Sequence, residues 1–333
     1  MPREASKTPF IIAHEFFDAL PIHIFQSVRP PAPTPQAEGD GTIQTPTGPI
    51  TPPVQQRRLP KENQWREMLV SPRPPHRLKA GEEEFDLTLA KAATAHSMYL
   101  PETSSRYKAL RHTAGATIEI SPESQAYARD FAIRLGGSDP TGTPNPPTSR
   151  SAPAPGSKNV SSPILEQPLL KPTPSGAALI IDYGPPDTIP TNSLRGIRAH
   201  ARLSPLDSPG ITDVSADVDF LSLAETAITA SPGVEVHGPV DQARFLTAMG
   251  IEERAAQLVK RAVDLERGGS TGKAKGELTE VVKRVESGWK RLVDRGPTGM
   301  GRLYQVMAIV PYIPTKGNES RRRPVGFGGD VNV

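Results

Sequence analysis

The sequence predicts an α/β fold in which helices cover both faces of a sheet. Two fully apolar runs of strand length stand at residues 10–13 and 177–181, and each is followed closely by an acidic residue. Residues 277–294 place apolar side chains on one face of a helix and pairs of opposite charge on the other. Apolar strands that alternate with amphipathic helices are typical of a sheet buried on both sides.

Composition limits how much of the chain can pack into a core. The 333 residues include 38 Pro and 28 Gly, and only 36% are hydrophobic, so the core must be concentrated in some segments. There is no cysteine, which excludes disulfides, thiolate zinc sites and cysteine nucleophiles. The net charge of +3 does not indicate a nucleic-acid partner. No apolar stretch approaches the roughly 18 residues that cross a bilayer, so we expect no membrane span.

Two segments carry too few apolar side chains to pack. Residues 29–60 and 138–175 are rich in Pro, Ser, Thr and Gly, and burial there cannot offset the roughly 1–2 kcal/mol of backbone entropy lost per ordered residue. We predict that both are disordered Pro-rich insertions and that residues 316–333 form a flexible tail. Such Pro-rich runs can alternatively serve as ligands for a groove-binding module. The ordered parts are then residues 1–28, 61–137 and 176–315.

The first half contains short strands and one well-defined helix. Residues 9–28 predict a strand, a turn and a second short strand, and residues 64–70 predict a strand that can pair with the second one. Ser121 is a suitable N-cap for a helix that runs from Pro122 to about Leu135 and ends at two glycines.

The second half alternates more regularly. The strands are predicted at residues 176–184, 234–240 and 302–312, and the helices at residues 217–230, 253–266 and 277–294.

Acidic residues follow the two apolar strands at the point where each strand ends. Ligands of open α/β sheets bind outside the carboxyl ends of the strands, which makes Glu15, Asp18, Asp182 and Tyr183 candidates for a binding cleft. The alternative is that these acids only cap the next turn or helix. His14 and Glu15 begin like a zinc-binding H-E-x-x-H motif, but Asp18 stands where the second His is needed, so we expect no metal there.

A second polar cluster follows the "IDYG" strand end. Its charged or titratable members are Arg195, Arg198, His200, Asp213, Asp217 and Asp219. Arginine can hold a carboxylate in a bidentate pair, and acids near a strand end can receive a guanidinium or an amine. A salt-bridged loop explains the same residue types, and on residue types alone it is the favoured interpretation.

Several motifs together resemble one family. "FIIAHEFFDALPIHIFQ", "WREMLV", "IEISPE", "GAALIIDYG", "TDVSADVDF" and "GMGRLYQVMAIVP" occur in the order found in the MidA-like family of mitochondrial complex I assembly-factor arginine methyltransferases. The resemblance covers nearly all of the segments predicted to be ordered.

The resemblance implies a Rossmann-like, S-adenosylmethionine-dependent methyltransferase fold. It implies symmetric dimethylation of a protein arginine on the 49-kDa-type subunit of NADH:ubiquinone oxidoreductase, in the mitochondrial matrix. It further implies that Glu15 and Asp18 are catalytic and lie near the transferred methyl group. Candidates for substrate binding are Asp182, Tyr183, Arg195, His200, Asp217 and Asp219.

The resemblance also implies that part of the fold should precede this sequence. "FIIAHEFFDALP" resembles the fourth strand, so the first strand with its Gly-rich cofactor loop, and the targeting peptide, are expected upstream. Either the chain is a fragment or misplaced start of an active methyltransferase, or it is a non-catalytic assembly or binding protein. The first alternative is favoured because the retained segments show no decay.

Overall fold

The computed structural model describes most of the chain in two compact units. The first unit comprises Met1–Ile22 and Ser121–Val333, and the second comprises His23–Ile120. The residues described are 3–29, 43–45, 48–50, 62–74, 76, 78, 82–138, 169–199, 201–268, 275–297, 299–314 and 323–329. Within them, no helix has the length and apolarity to cross a membrane.

The secondary structure is as follows. The strands are β1 Phe10–His14, β2 His23–Val28, β3 Ile43–Thr45, β4 Gly48–Ile50, β5 Gln64–Pro72, β6 Phe85–Leu89, β7 Thr117–Ile120, β8 Ala177–Tyr183, β9 Arg195–Arg198, β10 Ala201–Leu203, β11 Asp213–Ser215, β12 Val234–Asp241 and β13 Tyr304–Pro311. The helices are α1 Ala95–Tyr99, α2 Ser105–Leu110, α3 Pro122–Gly136, α4 Phe220–Ala230, α5 Gln242–Ala248, α6 Ile251–Gly268, α7 Lys275–Val293 and α8 Met300–Leu303.

The first unit is built on a four-stranded sheet in the order β1-β8-β13-β12. β1 and β8 are parallel, whereas β13 runs antiparallel to both β8 and β12. A smaller sheet of β10, β9 and β11 follows β8 along the chain. The apolar runs of β1 and β8 form this sheet because each is flanked by a neighbour that satisfies its backbone groups.

Apolar side chains cover both faces of β8 and β13, as the sequence predicts. The same prediction is wrong for the edge strand β1, where Phe10 is 79% and Ile12 76% exposed. On one face Ile180 and Met307 are fully buried against α3 and α4, which contribute Leu135 and Phe220. On the other face the core contains Phe245, Val306, Ala308 and Phe327. Alternate residues of β8 and β13 point to opposite faces, so one continuous apolar run supplies both cores.

Helix α3 begins and ends where its sequence predicts. The Ser121 hydroxyl accepts a hydrogen bond from the Ser124 N–H at 3.2 Å, and Pro122 occupies the first turn. Gly137 ends the helix with φ of 84°, a conformation that glycine adopts without a steric penalty.

The second unit has its own antiparallel sheet in the order β6-β5-β2-β7. The predicted pairing of residues 64–70 with the strand after Pro21 is confirmed, with Phe25 opposite Glu67. The chain divides between residues 22 and 23 and between residues 120 and 121, so β2 and β7 lie in this unit and α3 lies in the first, whereas the predicted segments were 1–28 and 61–137. Local periodicity cannot show which sheet a short strand joins.

The predicted insertions and tail are partly corrected. Within residues 29–60 the structure describes Arg29 and a hairpin of β3 and β4; the remainder lies outside the described residues, where disorder stays a prediction. Of the predicted tail, Phe327 is buried, with its ring 5.5 Å from that of Phe245. A single aromatic residue between glycines gives no periodic signal, so its burial was not predictable.

The predicted end of the second insertion is also wrong. Ser138 and Leu169 exchange hydrogen bonds of 2.9 Å, and residues 169–175, which were predicted to belong to the insertion, are part of the fold. Lys171 is 8% exposed, and burial lowers the pKa of its amine. Its Nζ donates to the backbone oxygens of Lys7 at 2.9 Å, Arg134 at 2.8 Å and Ser175 at 3.3 Å.

Replacing Lys171 by methionine should destabilise the first unit. The substitution leaves three carbonyl oxygens without their donor, which costs about 1–3 kcal/mol of unfolding free energy. Thermal unfolding of the whole chain, followed by circular dichroism, measures the loss. Lys260→Met, on the exposed surface of α6, is the matched control and should unfold like the wild type. Equal midpoints for both variants would contradict a structural role for the buried amine.

Candidate functional site

Three strand ends meet at one edge of the main sheet. The carboxyl ends of β1 and β8 lie side by side because these strands are parallel, and Glu15 N–H donates to the Ile181 carbonyl at 3.1 Å. β13 runs in the opposite direction, so its first residue, Tyr304, lies opposite Tyr183 at the same edge. The topology therefore brings together side chains from three distant parts of the chain.

Asp182 is the buried centre of this edge. Its side chain is 0% exposed, and its oxygens accept backbone hydrogen bonds from Phe16 at 3.0 Å, Phe17 at 2.8 Å and Tyr183 at 2.9 Å. Burial raises the pKa of Asp182 to about 7, and the charge of Asp18 adds to this, although the backbone donors oppose it. Asp182 therefore holds the turn after β1 in place and does not face solvent.

Asp18 lies in the same turn and is 9% exposed. Ser215 Oγ donates to its carboxylate at 2.9 Å, and the Ala216 N–H donates to its backbone carbonyl at 2.9 Å. Burial raises the pKa of Asp18, and the nearby charge of Glu15 acts in the same direction, against Ser215 and Arg195. The smaller sheet thus anchors this acid to the turn.

Glu15 is the acid that remains open to solvent. Its φ of 47° lies in the left-handed region, which is uncommon for a residue with a side chain and is often found at functional sites. The Tyr304 hydroxyl donates to its carboxylate, and the Tyr183 and Tyr304 hydroxyls are also hydrogen-bonded. Because one hydroxyl donates one proton, Tyr183 donates to Tyr304, which in turn donates to Glu15.

Tyr304 remains a neutral donor in this relay. Burial raises the pKa of its hydroxyl, as does the hydrogen bond that it donates to Glu15. The two tyrosine ring centroids are 4.1 Å apart, and the His14 ring lies nearly parallel to Tyr304 at 6.1 Å. The carboxylate of Glu15 is thus oriented by packed aromatic groups.

Arg195 lies against the same aromatic group. Its guanidinium carbon is 5.2 Å from the Tyr183 ring centroid, and its Nη1 donates to Asp217 at 2.6 Å and to the Ser193 carbonyl at 3.1 Å. The Asp217 N–H donates to Ser193 Oγ at 2.8 Å. A guanidinium therefore binds here between a carboxylate and a tyrosine face, which are the groups that recognise arginine.

The predicted residues separate into two groups. Glu15, Asp18, Asp182 and Tyr183 come together at one edge, as the strand-end argument predicts, and Arg195 with Asp217 joins them. The remaining members of the polar cluster contribute elsewhere or are not described. Asp219 caps α4 by accepting from the Ser222 N–H, Arg198 and Asp213 are exposed on β9 and β11, and His200 lies outside the described residues.

Three contributors, Tyr304, His14 and Ser215, were not among the predicted site residues. Tyr304 stands at the amino end of its strand, whereas ligand sites are expected at carboxyl ends. Because β13 runs antiparallel beside β8, its amino end lies at the same edge, and this was the signal that would have found Tyr304. Ser215 is recognisable only from its contact with Asp18, 197 residues away.

Fold and site together define an α/β protein whose main sheet carries acidic and aromatic side chains at one edge. A family model described as "Putative S-adenosyl-L-methionine-dependent methyltransferase" matches residues 1–240. Since this is more than half of the chain, the chain belongs to that methyltransferase family.

Curated relatives agree with this family and are longer than the chain. The mitochondrial protein arginine methyltransferase NDUFAF7 of Rattus norvegicus is 25% identical over 305 residues, which cover 91% of this chain and 46% of that protein. The Danio rerio protein of the same name is 28% identical over 250 residues, covering 74% and 38%. The chain spans about half the length, or less, of these relatives.

A solved structure supports the fold. A Burkholderia thailandensis protein crystallised with S-adenosyl-homocysteine matches 99% of this chain and 56% of its own chain, with a TM-score of 0.52 and 18% identity. At this identity the similarity shows the fold alone. It confirms the α/β methyltransferase fold that the sequence predicts, while the predicted incompleteness of that fold stays a prediction.

The raised pKa of Asp182 predicts how stability changes with pH. A folded-state pKa near 7 against an ordinary value of 3.8 favours the protonated form in the folded state, so the contribution of Asp182 to stability is greatest below about pH 4 and decreases as the pH rises toward 7. Asp182→Asn should remove this component, so the unfolding free energy of the wild type should decrease relative to that of the variant between pH 4 and pH 7.

Denaturant titrations of both proteins at several pH values measure the difference. The matched control is Asp187→Asn, at an exposed loop residue, whose pH dependence should parallel that of the wild type. If the unfolding free energies of the wild type and of Asp182→Asn differed by the same amount at every pH, Asp182 would have an ordinary pKa.

Proposed function

We propose that this chain forms the substrate side of a protein-arginine N-methyltransferase. The observation that carries the proposal is the exposed Glu15 carboxylate, which Tyr304 orients at the carboxyl end of β1. The neighbouring Arg195, which contacts both Asp217 and the Tyr183 ring, supports recognition of a guanidinium at this edge. Membership of a methyltransferase family and relatives named protein arginine methyltransferases support the reaction class.

Family membership implies S-adenosylmethionine as the methyl donor. The residues present fit its positively charged sulfonium, because Glu15 supplies negative charge and the rings of His14 and Tyr183 supply aromatic faces at the same edge. When bound, this group supplies an electrophilic methyl group. Glu15, Tyr183 and His14 are the residues that we expect near that methyl group.

In the proposed reaction Glu15 binds the substrate guanidinium. Arginine is always protonated in proteins and is a poor nucleophile, so the enzyme must orient one nitrogen and neutralise its charge. A carboxylate that accepts two guanidinium N–H bonds does both. The bound donor would supply the methyl group for the new N–CH3 bond by breaking its own S–CH3 bond, which leaves a neutral thioether. Glu15 would accept the proton that the methylated nitrogen loses.

The surrounding residues support Glu15 in different ways. Tyr304 donates to the carboxylate and fixes its direction, and Tyr183 extends the relay. Asp18 and Asp182 lie behind it: their buried carboxylates hold the turn, and Asp18 adds negative charge when ionised. We therefore assign Asp18 a positioning role and leave Glu15 as the catalytic residue.

The finer assignment rests on resemblance to the relatives. We propose symmetric dimethylation of an arginine on the 49-kDa-type subunit of complex I, in the mitochondrial matrix, as part of complex I assembly. The relatives are named mitochondrial arginine methyltransferases, which supports the reaction and the organelle. The particular subunit and the degree of methylation follow from the family resemblance alone.

Peptide binding and methyl transfer test the proposal together. The 333-residue chain is incubated with methyl-labelled S-adenosylmethionine and either an arginine peptide or the same peptide with lysine. Label on the arginine peptide alone supports the methyltransferase. Selective binding of the arginine peptide without label favours a non-catalytic binding protein. Equal binding and equal labelling of the arginine and lysine peptides would show that the chain does not recognise arginine.

Glu15→Gln should abolish most of the activity while preserving the fold. Glutamine is nearly the same size but carries no charge, and losing one positioned electrostatic group typically costs about 10²–10³-fold in kcat. Affinity for the arginine peptide should also decrease, which is measurable even without turnover. Glu4→Gln, an exposed acid on the same segment, is the matched control and should behave like the wild type.

Tyr304→Phe should have a smaller effect of a different kind. The ring still fills its buried position, but Glu15 loses the donor that orients it, and we expect kcat to fall by about 10-fold. Peptide affinity should change less than kcat. An unchanged kcat would show that the tyrosine hydroxyl does not orient the carboxylate.

A further inference from the structure

A separate group of metal-ligating side chains lies in the second unit. His23, Glu67 and His96 place their ligand atoms within 4.8 Å of one another. His23 Nδ1 is 2.7 Å from Glu67 Oε1, and His96 Nδ1 is 3.5 Å from the same oxygen. The two imidazole centroids are 4.2 Å apart. Two imidazoles thus converge on one carboxylate.

The antiparallel sheet explains how these residues meet. Phe25 lies opposite Glu67 in the pairing of β2 with β5, and His23 is two residues before Phe25 on the same face. His23 and Glu67 are therefore diagonal neighbours across two strands. His96 comes from the first turn of α1, whose N-cap is Thr94.

The carboxylate is held in place by a second layer of contacts. Glu67 is 5% exposed, and the Thr94 hydroxyl donates to its Oε2. The N–H of Ala90 donates to the Glu67 backbone carbonyl at 2.8 Å. Such outer contacts orient the ligands of metal sites and raise their affinity. The histidine side chains are 22% and 42% exposed, which leaves an entry path from solvent.

We propose that His23, Glu67 and His96 form a binding site for a divalent transition metal such as Zn²⁺. Two imidazoles and one carboxylate suit Zn²⁺ and other late first-row ions, whereas Mg²⁺ and Ca²⁺ prefer oxygen ligands. Three protein ligands leave at least one coordination position for water or another ligand. The site is independent of the methyltransferase proposal, because none of its residues belongs to the acidic edge of the main sheet.

Metal binding must displace the proton that lies between His23 and Glu67. In the structure His23 Nδ1 and Glu67 share a hydrogen bond of 2.7 Å. Ligand atoms around zinc lie about 3.3 Å apart, because each bond is about 2.0–2.1 Å long in a tetrahedral arrangement. Zinc at Nδ1 therefore takes the place of this proton, and a neutral imidazole then carries its one N–H on Nε2.

Calorimetry of the whole chain with Zn²⁺ tests the proposal. The protein is first stripped with a chelator and carries no affinity tag. We expect one Zn²⁺ per chain. His96→Gln and Glu67→Gln should each weaken binding by at least about 100-fold. Co²⁺ in place of Zn²⁺ should give visible absorption bands in the wild type that are absent in both variants.

His112→Gln is the matched control, because His112 is an exposed histidine in the same unit. It should bind Zn²⁺ like the wild type. His96 is more exposed than Glu67, so its variant folds even if the Glu67 variant does not, and circular dichroism checks this. Failure of the wild type to bind Zn²⁺, or equal binding by His96→Gln, would show that the cluster is only a hydrogen-bonded network.

Discussion

The buried carboxylate of Asp182 is the contact on which the acidic edge depends. It joins the end of β8 to the turn after β1 by accepting the backbone N–H groups of Phe16 and Phe17. A carboxylate deprived of water requires such donors, and the N–H groups of Phe16 and Phe17 lie beyond the last residue of β1, where strand pairing has ended. The turn can therefore adopt the conformation that exposes Glu15 while it buries Asp18 and Phe17.

Two kinds of acid result from this one constraint. Asp182 and Asp18 are removed from water, and burial raises the pKa of both. Glu15 stays open and receives its hydrogen bond from Tyr304. The two buried acids hold the turn in place, and the exposed carboxylate of Glu15 is available to a ligand. This arrangement suits recognition of a guanidinium. Stability and function are thus linked at a single turn.

The two units surround a carboxylate with similar groups, but the proposed ligands differ. In the first, carboxylates converge with tyrosines at the edge of a partly parallel sheet, a position where α/β proteins bind ligands. In the second, a carboxylate converges with two histidines on the face of an antiparallel sheet. Hydroxyl groups orient the central acid in both, Tyr304 in one and Thr94 in the other. The different partners suit an organic cation in one case and a metal ion in the other.

Local sequence determined the elements and the residues at their ends. Apolar runs predicted β1 and β8, capping residues predicted α3, and the acids after each strand predicted Glu15 and Asp182 as neighbours. These features depend on residues close together in the chain, so periodicity and capping rules detect them. Family membership was also predictable, because the motifs occur in this sequence in the same order as in the family.

Only the tertiary structure decided which acid faces solvent and which partners it has. Tyr304 donates a hydrogen bond to Glu15, from which it is separated by 289 residues along the chain. Ser215 donates to Asp18 over a separation of 197 residues. The same holds for Lys171 and Phe327, whose burial depends on distant segments that no local pattern identifies. Burial and hydrogen bonding are properties of the packed chain, so the sequence named the candidate acids but the fold assigned their roles.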